Sequence, residues 1–124
     1  GAAIISATAA ARFGAGLTSL IYHEKINHPS FLMSSTTIPK KATAIAIGMG
    51  LGDFFESDFL QKEVVDSNLP ILLDADAFYK EQLVEIIFQK DRKIVLTPHP
   101  KEFSALLEIL ENKKITIKEV QENR

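Results

Sequence analysis

Residues 71–77 read Ile71-Leu72-Leu73-Asp74-Ala75-Asp76-Ala77, an apolar run that ends on two carboxylates. Unbroken apolar runs of this kind mark strands covered on both faces, as in parallel sheets. The same construction stands on either side. Ala44 to Ile47 runs into Gly48-Met49-Gly50-Leu51-Gly52, and Ile94 to Leu96 runs into Thr97-Pro98-His99-Pro100-Lys101-Glu102. Helical patterns fill the gaps: Ser57 to Ser67 with Phe59, Leu60, Val64 and Val65, and Tyr79 to Gln89 with Leu83, Val84, Ile86, Ile87 and Phe88. Glu102 to Leu110 follows, with Phe103, Leu106, Leu107 and Leu110 on one helical face. Strand and helix in alternation predict right-handed parallel crossovers, and so an α/β fold with a doubly wound parallel sheet and flanking helices.

Toward the N-terminus, Leu17 to Ile21 and Phe31 to Met33 predict two more strands. Ala2 to Phe13 is rich in Ala, a strong helix former. It is apolar on nearly every side, which predicts a buried helix, and Gly14 stands where a left-handed C-cap belongs. Ile115 to Glu122 reads as the start of a further helix.

The chain of 124 residues is at most one domain, since domains run to roughly 100–200 residues. Its 46% hydrophobic and 24% charged content is that of a soluble globular protein. A formal net charge of −2, with no Lys/Arg block, argues against a nucleic-acid partner. There is no Cys, hence no disulfide or thiolate site, in keeping with a reducing cytoplasm. The apolar opening lacks a basic n-region and runs into Arg12 and Gly14, unlike a signal peptide. No apolar run approaches the roughly 20 residues that span a bilayer. The absent initiator Met and the abrupt end at Gln121-Glu122-Asn123-Arg124 lead us to expect a piece of a longer protein.

Open parallel sheets bind ligands beyond the carboxyl ends of their strands, so the three strand ends are the candidate site. The loop Gly48 to Gly52 lets backbone amides approach a ligand closely and suits an anion nest, or else is only a flexible turn. It is neither a Rossmann fingerprint nor a P-loop. Asp74 and Asp76, two apart, emerge on one face; we assign Asp76 mainly to capping the next helix and Asp74 to the site, where it would orient a hydroxyl or bind Mg²⁺. In the third loop, prolines hold Thr97 and His99 extended. Pro100 suits the first helical position, and Glu102 falls where a capping-box carboxylate reaches back. His23 and His28 read as solvated loop residues before Pro29. Phe54, Phe55, Phe59, Phe78 and Phe103 read mostly as core, with Phe78 or Tyr79 able to stack on a flat ring.

In this order, Gly1-Ala2-Ala3 with Arg12-Phe13-Gly14-Ala15-Gly16-Leu17, then Ile47 to Gly52, Leu73 to Phe78 and Leu96 to Glu102 resemble the NAD(P)H-hydrate dehydratase family. That family reads G-A-A-x-L-A-x-x-A-A-L-R-x-G-A-G-L, I-G-P-G-L-G, L-D-A-D-A-L and L-T-P-H-P-G-E. The resemblance implies an incomplete ribokinase-like domain, an ADP- or ATP-dependent activity on hydrated NADH or NADPH, and a homo-oligomer, often a tetramer. It maps substrate contacts onto Ala3, Gly50 and His99; Asp74 joins them by its strand-end position. Met49 for Pro, Phe78-Tyr79 for Leu-Asn and Lys101 for Gly depart from the pattern. The family's nucleotide-binding Lys strand and its G-T-G-D turn, which carries the base and the anion hole, would lie beyond Arg124; without them we expect this chain alone to be inactive. A kinase of a small alcohol such as a hydroxymethylpyrimidine, and a non-catalytic nucleotide-binding half-domain, are the alternative readings.

Overall fold

The structure, a computed structural model, describes residues 2–14, 16–21, 32–52 and 55–112, and the helical backbone on to 122. Gly1, Ala15, His23, His28, Pro29, Phe31 and Phe54 lie outside the described residues. Helix α1 spans Ala2–Arg12, and strands β1 (Ser19–Ile21) and β2 (Met33–Ser35) pair in parallel. Strands β3 (Ile45–Ile47), β4 (Ile71–Leu73) and β5 (Ile94–Leu96) form a second parallel sheet in that order. All the strands expected from the sequence form, and the class is α/β with flanking helices, divided between two small sheets.

Strand β4 lies central because its side chains, Ile71 and fully buried Leu73 above all, serve the core. Its register is set by Ile45↔Ile71↔Ile94 and Ile47↔Leu73↔Leu96. Phe78, Leu83, Val84 and Ile86 are likewise fully buried and pack with Leu73 and Leu106. Burying a side chain such as Phe78 is worth about 1.5–3 kcal/mol. This cluster anchors the segments after β3 and β4.

The segment between β3 and β4 begins as helix α2 (Ser57–Phe59), widens to a π-type turn at Leu60–Val64 and tightens to a 3-10 turn at Val65–Ser67. Asn68, in the left-handed conformation, ends it. Arg92 gathers carbonyls of the segment's last turn and just beyond it: Nη2 donates to Val64 O at 3.0 Å, Nη1 to Val65 O at 3.0 Å and Nε to Leu69 O at 2.7 Å. A cation at a helix C-terminus complements its dipole. Burial pushes the guanidinium below its usual range, offset by these bonds and by Gln89 Oε1 and Ser67 Oγ.

Between β4 and β5 come a 3-10 turn (Ala75–Tyr79), helix α3 (Glu81–Val84) and a second 3-10 turn (Glu85–Phe88). Helix α4 spans Pro100–Glu122, so Ile115 to Glu122 extends the same helix rather than starting a new one.

Two other expectations are corrected. Of α1, only Ala7 is buried, while Ile5 is 72% and Phe13 93% exposed. Small side chains let Ala3, Ile4, Ala7 and Ala11 settle on Leu20 and Leu32, and that single stripe is the face that packs. Strand β2 lies two residues later than the apolar run suggests, because the Met33 N–H bonds to Thr18 O at 2.9 Å and the pairing continues through Ser34 and Ser35.

Candidate functional site

The loops after β3, β4 and β5 interlock. Gly48 lies so close to the next loop that an added Cβ would sit 1.7 Å from Asp74 O, and its φ is +122°. Only glycine fits there. The same contact lets Asp76 N–H bond to Gly48 O at 3.2 Å, and the Asp74 N–H bond to Ile47 O at 3.1 Å. Across this seam the Gly52 N–H donates to Asp76 Oδ2 at 3.0 Å. The Thr97 N–H and hydroxyl both donate to Leu73 O, at 3.2 and 3.4 Å, which ties the third loop to the second.

Asp76 does not cap the next helix as the sequence leads one to expect. Asp74, extended at φ −142° and ψ 163°, holds the position before the 3-10 turn, with no side-chain cap bond. Asp76 lies inside the turn and turns its carboxylate to the glycine loop. A short 3-10 turn begins one residue after β4, which moves the capping position forward. Asp74 is half-buried beside the Gly48 seam.

Gly50 meets the start of α1: a Cβ there would lie 3.6 Å from Ala2 Cβ and 3.9 Å from Ala3 N. Residues 47 positions apart in the chain are thereby brought side by side. His99 precedes α4, where Glu102 Oε1 accepts the His99 N–H at 3.0 Å. The Glu102 N–H in turn donates to His99 Nδ1 at 3.3 Å, and His99 Nε2 lies 3.0 Å from Glu102 Oε2. This is a capping box with histidine in the usual place of serine or threonine.

An open cavity of ≈ 230 Å³ adjoins the glycine loop, lined by Gly52, Asp76, Tyr79 and Lys80. Phe78 points into the core, fully buried, so that among the described lining residues Tyr79, 50% exposed, is the ring available there. Phe55 and Phe59 stack on each other at 4.9 Å, and Phe103 is 49% exposed. The His99 ring accepts the Glu102 N–H at Nδ1 and lies against the Glu102 carboxylate, and His99 is not part of this cavity's lining. Neither the Gly52–Asp76 bond nor the cavity wall at Lys80 is legible in the sequence, since no local pattern signals a contact between residues 24 apart. Among the described residues no group of three His, Cys, Asp or Glu side chains could hold a metal, and no helix is long and apolar enough to cross a membrane.

A family model described as NAD(P)H-hydrate dehydratase matches residues 1–123. The chain is 32% identical over 114 residues to the bifunctional NAD(P)H-hydrate repair enzyme Nnr of Helicobacter pylori, covering 89% of the chain and 23% of that protein. It is 35% identical over 137 aligned residues to the enzyme of the same name from Coxiella burnetii, covering 100% of the chain and 26% of that protein. The chain thus spans about a quarter of the length of these relatives. No solved structure matches it significantly.

Proposed function

The chain belongs to the NAD(P)H-hydrate dehydratase family, and we propose that it builds the substrate side of an enzyme that returns hydrated NADH or NADPH to NAD(P)H with ADP or ATP. The observation that carries this reading is the interlocking of three strand-end loops at one edge of the sheet, Gly48 on Asp74, Gly52 on Asp76 and Thr97 on Leu73. Such an edge is where an open α/β sheet receives its ligand.

In this proposal the terminal phosphoryl group of the nucleotide is transferred to the ring hydroxyl, and loss of that phosphate together with a proton from the adjacent ring carbon, taken up by a base, restores the dihydronicotinamide. The chain's own residues bind and orient. Gly50, without a side chain, lets the substrate approach the backbone beside Ala3 in the first turn of α1. Asp74 accepts a hydrogen bond from a substrate hydroxyl, His99 flanks the ring, and Tyr79 offers a face for stacking. Lys101, exposed beside His99, favours a phosphate-rich ligand. A Mg²⁺ arriving with nucleotide phosphates would keep most of its waters and need only one or two carboxylates, such as Asp74. The same proposal includes a homo-oligomer working in the cytoplasm, the former to be read from light scattering.

Calorimetry with hydrated NADH tests the substrate assignment. Binding is expected, weakened about tenfold by His99→Ala, the worth of one good polar contact. Affinity unchanged in that variant would take His99 out of the site. The run Thr97 to Glu102 favours dehydration over phosphorylation of a small alcohol, which the same titration with a hydroxymethylpyrimidine checks.

A further inference from the structure

The cavity beside the glycine loop, ≈ 230 Å³ in volume, is walled by Gly52, Asp76, Tyr79 and Lys80. It is smaller than the roughly 300–1,000 Å³ of a site that encloses a whole ligand, so it suits one unit of a dinucleotide. Gly52 and Asp76 stand two residues beyond Gly50 and Asp74, and two residues of chain reach at most about 7 Å. The wall therefore begins no more than the breadth of a sugar from the loop positions assigned to the hydrated nicotinamide. We infer that the cavity is a ribose subsite, in which Asp76 Oδ1 accepts hydrogen bonds from the vicinal hydroxyls of the sugar joined to that ring. This rests on the proposed placement of the ring at Gly50, Asp74 and His99.

The chemistry of the wall selects among the units of the substrate. Asp76 is half-buried, and the Gly52 N–H fixes its Oδ2 at 3.0 Å. Its Oδ1 has no hydrogen-bond partner among the described residues. A half-buried carboxylate oxygen in that state gains from a donor carried by a ligand. A phosphate brings acceptors and like charge, and is repelled there. A metal would need further ligands, and no group of three His, Cys, Asp or Glu stands ready among the described residues. Sugar hydroxyls bring donors. The half-exposed phenol ring of Tyr79 offers its negative face to the C–H side of a sugar. Lys80 adds positive charge to the same wall, which suits the phosphate that follows the sugar. Because Gly52 holds the carboxylate before any ligand arrives, little ordering is left to do on binding.

Two probes that share the reacting ring isolate the ribose. Hydrated N-methyl dihydronicotinamide carries the ring alone; hydrated, reduced nicotinamide mononucleotide adds the ribose and its phosphate. In amide spectra of the ¹⁵N-labelled chain, both should shift Gly50, Asp74 and His99. Only the mononucleotide should also shift Gly52 and Tyr79, and it should bind at least about tenfold more tightly. Asp76→Asn keeps an amide oxygen for the Gly52 N–H, but turns the second acceptor into a donor and removes the charge. Exchange of the Gly52 amide and affinity for the N-methyl compound should stay as in the parent, while the mononucleotide binds about tenfold more weakly.

A mononucleotide that leaves Gly52 and Tyr79 unshifted overturns the inference without recourse to any variant. So does an Asp76→Asn chain that binds the mononucleotide like the parent. Adenosine monophosphate shifting Gly52 and Tyr79 as far as the mononucleotide does would assign the cavity to the other half of the substrate, and overturns it too. If the N-methyl compound fails to shift Gly50, Asp74 and His99, the placement of the ring falls first, and the ribose subsite falls with it.

Discussion

Asp76 Oδ2 accepts the backbone N–H of Gly52 at 3.0 Å, so the loop after β4 fastens the loop after β3 through a charge-assisted bond. A carboxylate bonded to an amide makes a stronger link than two neutral groups. It also gives a glycine-rich loop a defined shape before any ligand arrives, which lowers the ordering cost of binding. Removing the carboxylate should therefore be felt in the loop's mobility before it is felt in the fold.

Asp76→Ala is expected to lower stability by about 1–2 kcal/mol, since the bond is only partly buried. Hydrogen exchange at the Gly52 amide should accelerate, while the amides of β4 keep their protection. A Gly52 amide that exchanges as slowly as in the parent would show that something else holds the loop.

The glycines at 48 and 50 should respond differently to the same methyl group. Gly48→Ala places a Cβ 1.7 Å from Asp74 O at φ +122°, and clash and strain together should destabilise by about 3–5 kcal/mol. At Gly50 the nearest atom is 3.6 Å away and φ is +68°, leaving a left-handed penalty of about 1–2 kcal/mol. Urea unfolding of the two variants checks the order.

Arg92 anchors the end of the segment that leads into β4. Arg92→Met would keep the bulk but leave the carbonyls of Val64, Val65 and Leu69 without the bonds it donates. The expected loss is about 2–4 kcal/mol by chemical denaturation. Arg92→Lys should recover part of it, because an ammonium reaches fewer acceptors than the planar fork.

Much of this architecture can be read from the chain because it is local. Ile71–Leu73 and Ile94–Leu96 announce β4 and β5 residue for residue, both being short apolar runs closed by turn chemistry. Pro100 and Glu102 announce the start of α4, since capping depends on neighbours three residues apart. Strand β2 is harder to read because Met33-Ser34-Ser35 is mostly polar, and only its parallel pairing with Ser19–Ile21 makes it a strand. The exposure of α1 follows from how little packs on it, not from its composition. The work of Asp76 and Arg92 is illegible for the same reason: each reaches across more than 20 residues, where no periodicity connects donor to acceptor.

Three separate strand ends that share one ligand must respond to it together. Amide spectra of the ¹⁵N-labelled chain, recorded through a titration with hydrated NADH, read this directly. Gly50, Asp74 and His99 should shift together along a single saturation curve, with the far ends of β3, β4 and β5 unmoved. Shifts confined to one loop, or midpoints that differ between loops, would contradict it.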